Sequence, residues 1–294
     1  MNRQAAIEAF QEYVSHYDAE NPMISDKVAH TFRVAENAEQ IALHTSCPEL
    51  ADFAWFLGLL HDIGRFEQIR RYGTFADGQS VDHAELGADI LFREGLIDRF
   101  PTEDLPEGWR ETAETAIRLH NKLTLPDSWP GKDGGRTQLL CRILRDADKI
   151  DIFRVIAEIP LAQRAGKSRS MLGSSDMVRP GVMACVMEHR CVPRSEIRSV
   201  MDLRVSHCCM AFELEFPVSR EIAVKQGYLA EILRMRDGDG LRMRDAVRQK
   251  QMQIVQKEIE KVWGISLASG ESGKGGRAVS SPMVFRKNKS EVHE

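Results

Sequence analysis

Residues 49–62 read ELADFAWFLGLLHD. From Ala51 to Leu60 only Asp52 interrupts a run of apolar residues and glycine, and that run covers the whole helical circumference. A helix apolar on every side is buried. This one runs into an imidazole and a carboxylate, His61 and Asp62. An unpaired carboxylate at such depth is costly to keep charged, or takes up a proton. A bound cation compensates the pair directly.

Outward from this stretch, helical periodicity dominates and strand alternation is almost absent, which predicts an all-α fold. Helices are expected near 3–17, 25–45, 49–62, 81–94, 108–122, 137–157, 180–190, 195–213, 219–235 and 241–263. Ser25 and Ser80 stand where N-caps belong, and Gly95 where a helix stops. The alternating run Ala211–Phe216 is followed by Pro217, which favours a helix end over a strand. Loops are expected at 70–80, 123–136 and 165–180. The repeated LRMRD (233–237 and 241–245) reads as a turn between two helices with solvated arginine faces.

These segments group into an N-terminal helix (1–23), a helical bundle (24–160) and a C-terminal helical region (178–264). The last is expected to pack on the bundle and to shape a pocket or a homodimer interface. Residues 268–294, rich in Gly, Ser and Lys, are expected to be a disordered tail.

Of 294 residues, 43% are hydrophobic and 29% charged, a composition able to bury a sizeable core. The formal net charge of −4 gives no global case for nucleic-acid binding. The six cysteines form no CxxC pair and read as reduced thiols. The first residues, MNRQAAIEAFQEY, lack the apolar region of a secretory signal, and no stretch approaches the roughly 18 apolar residues of a membrane span. A soluble cytoplasmic protein is the expectation.

Several helices place a ligand-type residue on their apolar stripe. His30 aligns with Val34, Asn37 and Ile41, and His83 with Leu86, Gly87 and Ile90. His120 ends the stripe Trp109, Ala113, Ala116, and Asp148 shares one with Cys141, Leu144 and Asp151. A lone histidine in such a place is more often a hydrogen-bonded core residue, and His16, His44, His189, His207 and His293 are read that way. Four inward histidines with Asp62 and Asp148 are too many ionisable groups for one unliganded core. Nitrogen and carboxylate ligands without thiolate suit Fe, Mn, Zn, Ni or Co. Six of them suit two ions about 3.5–4 Å apart, bridged by a carboxylate and a water that the ions activate for attack on phosphorus.

The series His30, His61-Asp62, His83, His120, Asp148 resembles the HD superfamily of metal-dependent phosphohydrolases. The strings LLHDIGRF, DHAELGADIL, IRLHNKL and RDADKIDIF are similar to the corresponding helices of that family, over about residues 24–160. The resemblance implies a metal site of His30, His61, Asp62 and Asp148, and a second ion held by His83 and His120, with Asp62 bridging. It selects Asp148 over Asp146, which becomes a supporting or surface group, and makes Lys149 a phosphate contact. The extended ligand set is similar to dinucleoside-tetraphosphate hydrolases and to cyclic-di-GMP phosphodiesterases. Asn121 stands where the latter carry a second consecutive histidine, and their GYP signature is missing, so cyclic-di-GMP is disfavoured. The same ligands also resemble HD-type di-iron oxygenases.

Basic residues favour phosphoryl chemistry. The expected activity is hydrolysis of a phosphomonoester or phosphodiester of a nucleotide or dinucleotide by a metal-bridging hydroxide. Asp62, Arg65 and Lys149 are the expected catalytic residues, and Arg33, Arg70 and Arg71 the expected substrate contacts. The alternatives are a di-iron oxygenase and a non-catalytic nucleotide-binding module.

Overall fold

A computed structural model describes residues 1–129, 133–159, 177–234 and 246–267, and every regular element among them is a helix. In chain order these are α1 (Arg3–Val14), α2 (Pro22–Leu43), α3 (Ala51–Leu60), α4 (Ile63–Tyr72), α5 (His83–Ala88) and α6 (Trp109–Leu119). Then follow α7 (Gly134–Glu158), α8 (Pro180–Met187), α9 (Val200–Cys209), α10 (Pro217–Gln226), α11 (Tyr228–Leu233) and α12 (Ala246–Trp263). The expected tail from 268, the LRMRD turn beyond 234 and the loop from 165 to 176 lie outside the described residues. No described helix is long and apolar enough to cross a membrane.

Two expected caps are displaced. Asn21, not Ser25, caps α2: its side chain accepts from the Met23 N–H, and Pro22 occupies the first turn. Proline at that position suits the fixed φ and needs no donor, so the helix starts three residues early. Ser25 instead donates to the Pro22 carbonyl. Asp82, not Ser80, caps α5 by accepting from Ala84 and Glu85 N–H groups, while the Ser80 hydroxyl donates to the Ala76 carbonyl.

Helix α3 is enclosed as its sequence demands: every residue except Asp52 is buried. Gly58 lets it cross α2 closely, since a Cβ there would lie 2.5 Å from the Ala35 Cα. A separate helix, α4, begins immediately beyond Asp62, where no distinct element was expected. Gly64 in its first turn lies against α5, where a Cβ would come within 2.2 Å of the His83 carbonyl oxygen. The two glycines thus bring α2, α3, α4 and α5 together around His61 and Asp62.

The 25-residue α7 is the spine, touching α2, α3 and α6 on one side and α10 and α11 on the other. One continuous apolar core runs from Ala6 to Leu267 and includes fully buried Phe56, Leu57, Leu60 and Phe153. Truncating such a leucine to alanine costs about 2–5 kcal/mol. The run expected to end a helix does so. Met210–Glu213 form a 3-10 turn, and Pro217 starts α10.

Candidate metal centre

The six expected ligands arrive from five places: His30 from the middle of α2, His61 and Asp62 from the α3–α4 junction, His83 from the start of α5, His120 from the end of α6, and Asp148 from the middle of α7. The structure brings all six together. Asp62 stands between two groups. Its Oδ2 faces His30 Nε2 at 3.5 Å and His61 Nε2 at 3.4 Å, while its Oδ1 faces His83 Nε2 at 3.5 Å and His120 Nε2 at 3.9 Å. Asp148 belongs to the first group, with Oδ1 3.2 Å from His30 Nε2 and 3.8 Å from His61 Nε2. Ligand atoms on adjacent corners around an ion with bonds of about 2.0–2.2 Å are about 3–3.5 Å apart. The cluster has that scale.

Each imidazole is fixed through its other nitrogen. His30 Nδ1 donates to Asp151 Oδ2 at 2.6 Å, and His61 Nδ1 to the Gly58 carbonyl at 2.7 Å. His83 Nδ1 lies 2.9 Å from Asp77 Oδ2, and His120 Nδ1 donates to the Ile117 carbonyl at 2.7 Å. Carbonyls and carboxylates only accept, so all four Nε2 atoms present lone pairs inward. His30 Nε2 and His61 Nε2 have no hydrogen-bond partner. His83 Nε2 and His120 Nε2 face each other at 3.0 Å. Buried lone pairs arranged in this way fit cations and little else.

The electrostatics divide similarly. Burial opposes charge on Asp62, but Lys27, whose Nζ sits 2.5 Å away, and His61 hold its carboxyl well below the usual range. Burial also opposes charge on His30, yet the carboxylates of Asp148 and Asp151 outweigh it and raise that imidazole. On the other side burial, with Arg65 nearby, lowers His83. Burial beside His83 and His61 brings His120 down to about 3.

A cavity of about 640 Å³ opens over the centre. Asp62, His83, His120 and Asp148 form its floor, with Lys27 and Arg65 beside them. Arg65 Nη1 donates to the Phe75 carbonyl at 2.7 Å and to Asp77 Oδ1 at 2.9 Å, which fixes its position. Lys149 also lines the cavity, its Nζ 3.2 Å from Glu213. The opposite wall comes from the C-terminal region and includes Arg194, Ile197, Leu203, Ser206 and His207. His207, read from sequence as an ordinary core histidine, is a half-buried cavity residue.

The other expected substrate contacts sit elsewhere. Arg33 donates to both oxygens of Asp151, at 2.5 and 3.0 Å, behind His30 and away from the cavity lining. It steadies the carboxylate that orients a ligand. Arg70 and Arg71 both pair with Glu67 and are largely exposed, again away from the cavity. A nearer carboxylate takes each guanidinium. Asp146 is a buried group, accepting from the Glu215 and Phe216 N–H groups.

Lys27, Asp77 and Asp151 are site residues that sequence reasoning passed over. Asp151 had a signal, since it lies one turn from Asp148 on the same stripe. Lys27 lies one turn before His30 on α2. Asp77 comes from a loop, where periodicity offers nothing.

Residues 28–152 match the family model of the HD domain. No curated protein and no solved structure matches the chain.

Proposed function

Residues 28–152 carry a domain of the HD superfamily of metal-dependent phosphohydrolases, and from that premise we propose that the chain hydrolyses a phosphate ester of a nucleotide or dinucleotide at a centre of two divalent transition-metal ions. The observation that carries the reading is the division of Asp62 between two histidine pairs, one carboxylate oxygen toward each. His30, His61 and Asp148 would hold one ion with Asp62 Oδ2, and His83 and His120 the other with Asp62 Oδ1. Fe, Mn, Co, Ni and Zn suit this donor set. Bound there, such ions supply Lewis-acid neutralisation of a phosphoryl group and lower the pKa of water.

The chain's own residues bind and orient. Lys27 and Arg65 flank Asp62 on the cavity side, where their N–H groups meet phosphoryl oxygens with charge-assisted hydrogen bonds. Arg65 does so without reorganising, because Asp77 and the Phe75 carbonyl already hold it. Lys149 contributes positive charge next to Asp148. The buried histidines would act as ligands through Nε2, and no side-chain nucleophile is required. The cavity's size is in the range of small-molecule sites and accommodates a nucleotide. These cations favour phosphoryl transfer over oxygenation of a neutral substrate.

The test is metal analysis of the purified protein together with a phosphomonoesterase and phosphodiesterase panel in Mn, Fe, Co, Ni and Mg, with oxygen uptake followed in parallel. About two ions per chain and metal-dependent phosphate release are expected. Oxygen consumption without phosphate release, or nucleotide binding without turnover, would overturn the assignment.

A further inference from the structure

The cavity wall opposite the ligands lies beyond residue 152 and contributes one carboxylate, Glu213. An acidic group is an unexpected lining for a site that takes a phosphate, so its placement needs a reason. Glu213 Oε2 lies 3.2 Å from Lys149 Nζ and 3.6 Å from Arg145 Nη2, and the Cys191 thiol neighbours it. A carboxylate offers about four acceptor positions, more than these three neighbours take, and Glu213 lines the cavity.

Its position is held from three sides. Glu213 ends the 3-10 turn Met210–Glu213, in which the Ala211 carbonyl accepts from Trp263 Nε1 at 2.9 Å. Just beyond it, the Glu215 and Phe216 N–H groups donate to Asp146 Oδ2 at 2.9 and 3.1 Å. Arg142 pairs with Glu215 at 2.5 Å. Arg142, Asp146, Asp148 and Lys149 all stand on α7. One helix therefore fixes the distance between a metal ligand and this carboxylate, which is the rigidity a recognition group needs.

Resting on the phosphohydrolase reading above, we infer that Glu213 reads the alcohol half of the substrate, accepting a hydrogen bond from a sugar hydroxyl of a mononucleotide. The other carboxylates of the cavity belong to the HD segment, Asp62 and Asp148 among the ligands, Asp77 with His83 and Arg65, Asp82 with Lys122 and the α5 cap, so Glu213 is the one carboxylate lining the cavity from beyond residue 152. Lys27, Arg65, Lys122, Arg145, Lys149 and Arg194 line the same space, so a cationic donor is repelled and a neutral hydroxyl is favoured. Ile197, Leu203 and Met210 supply apolar surface beside it for the rest of a nucleoside. A second phosphoryl group at that end would meet the Glu213 charge, which selects an ester with a single phosphoryl group over a dinucleoside polyphosphate.

Calorimetric binding to the metal-loaded full chain tests this with each ribonucleoside 5′-monophosphate and its 2′,3′-dideoxy counterpart. Loss of a hydrogen bond to a charged group predicts at least about 10-fold weaker binding of the dideoxy form. Glu213→Gln should narrow that ratio to below about 3-fold, and Glu213→Asp should keep more of it. Equal binding of the two forms by the wild type, binding of neither, an unchanged ratio in Glu213→Gln, or diadenosine tetraphosphate binding tighter than any monophosphate overturns the inference. Hydrolysis of p-nitrophenyl phosphate is read separately. Its absence alongside a ribose preference defeats the hydrolase reading while sustaining Glu213 as the hydroxyl reader. The wild-type ratio requires no variant, so a poorly folding Glu213→Gln protein does not spare the proposal.

Discussion

His30 and His61 face one oxygen of Asp62, and His83 and His120 face the other. Each pair has one imidazole leaning on a carboxylate, Asp151 or Asp77, and one leaning on a helical carbonyl, Gly58 or Ile117. The orienting device is therefore the same on both sides, but the charge is not. Asp148 joins the first pair, where His30 is raised by Asp148 and Asp151 against the effect of burial. The second pair has Asp77 behind His83 but no inward carboxylate besides the shared Asp62, and both of its histidines are lowered, mainly by burial. In the proposed centre this geometry would offer two cation positions, and charge would rank them: the Asp148 side would hold its ion tightly and the His83–His120 side would exchange its own.

The largest test of this comparison removes what the halves share. Asp62→Ala should leave no bound metal and lower turnover by roughly 1,000-fold or more, as expected when a unit acts together. Elemental analysis that still finds one ion per chain would show that the halves do not depend on Asp62.

Next come substitutions that touch one half. His120→Ala should retain about one ion per chain, whereas Asp148→Ala should lose the tightly held one. Competition with a chelator of known affinity separates the two cases, and indistinguishable behaviour would erase the ranking.

Smaller effects belong to the orienting carboxylates. Asp151→Asn should weaken the tight ion by about 10–100-fold and Asp77→Asn the weak one by a similar factor, since such partners fix the tautomer and orientation of the ligand. Asp77→Asn should also loosen Arg65, which shares that carboxylate, and raise KM for the phosphate ester.

The smallest effect concerns the pH dependence of the chelated protein. His120 is lowered to about 3 in the fold from a reference of 6.5. Between those values the unfolded chain binds a proton that the folded chain refuses, so its contribution to stability is present above pH 6.5 and lost as pH falls toward 3. His30 is raised, so its contribution is full below pH 6.5 and lost as pH rises through the folded value. Thermal unfolding across pH should therefore show a shallower acid limb for His120→Gln and a shallower neutral limb for His30→Gln. Equal slopes in both variants and the wild type would remove the electrostatic half of the comparison.

Sequence reading picked out the clustered candidate ligands better than it picked out their supports. A histidine on an apolar stripe is visible at helical spacing, and all six ligand residues stand out in that way or in the enclosed helix before His61. Their supports include two backbone carbonyls, a loop aspartate and a lysine one turn from a ligand, none of which breaks a pattern. The arginines went astray for a related reason. Arg33, Arg70 and Arg71 are close in sequence to ligands, but ion pairing follows distance in space, where Asp151 and Glu67 take them. The start of α4 was hidden because its separation from α3 rests on the non-helical backbone of Asp62 (φ −106°, ψ 17°), which no local spacing marks.

By itself the sequence determined an all-helical chain with an HD-type ligand series, because helical period and burial are local properties written at spacings of three and four. The tertiary structure alone decided that Asp62 serves two groups at once and which carboxylate orients which imidazole. It alone brought His207 and Glu213, from the region beyond the family segment, into the cavity over the candidate metal ligands. Those are relations between distant elements, fixed by close approaches at Gly58 and Gly64 and by the clamp of Asp146 on the Glu213 turn, and no local spacing encodes them.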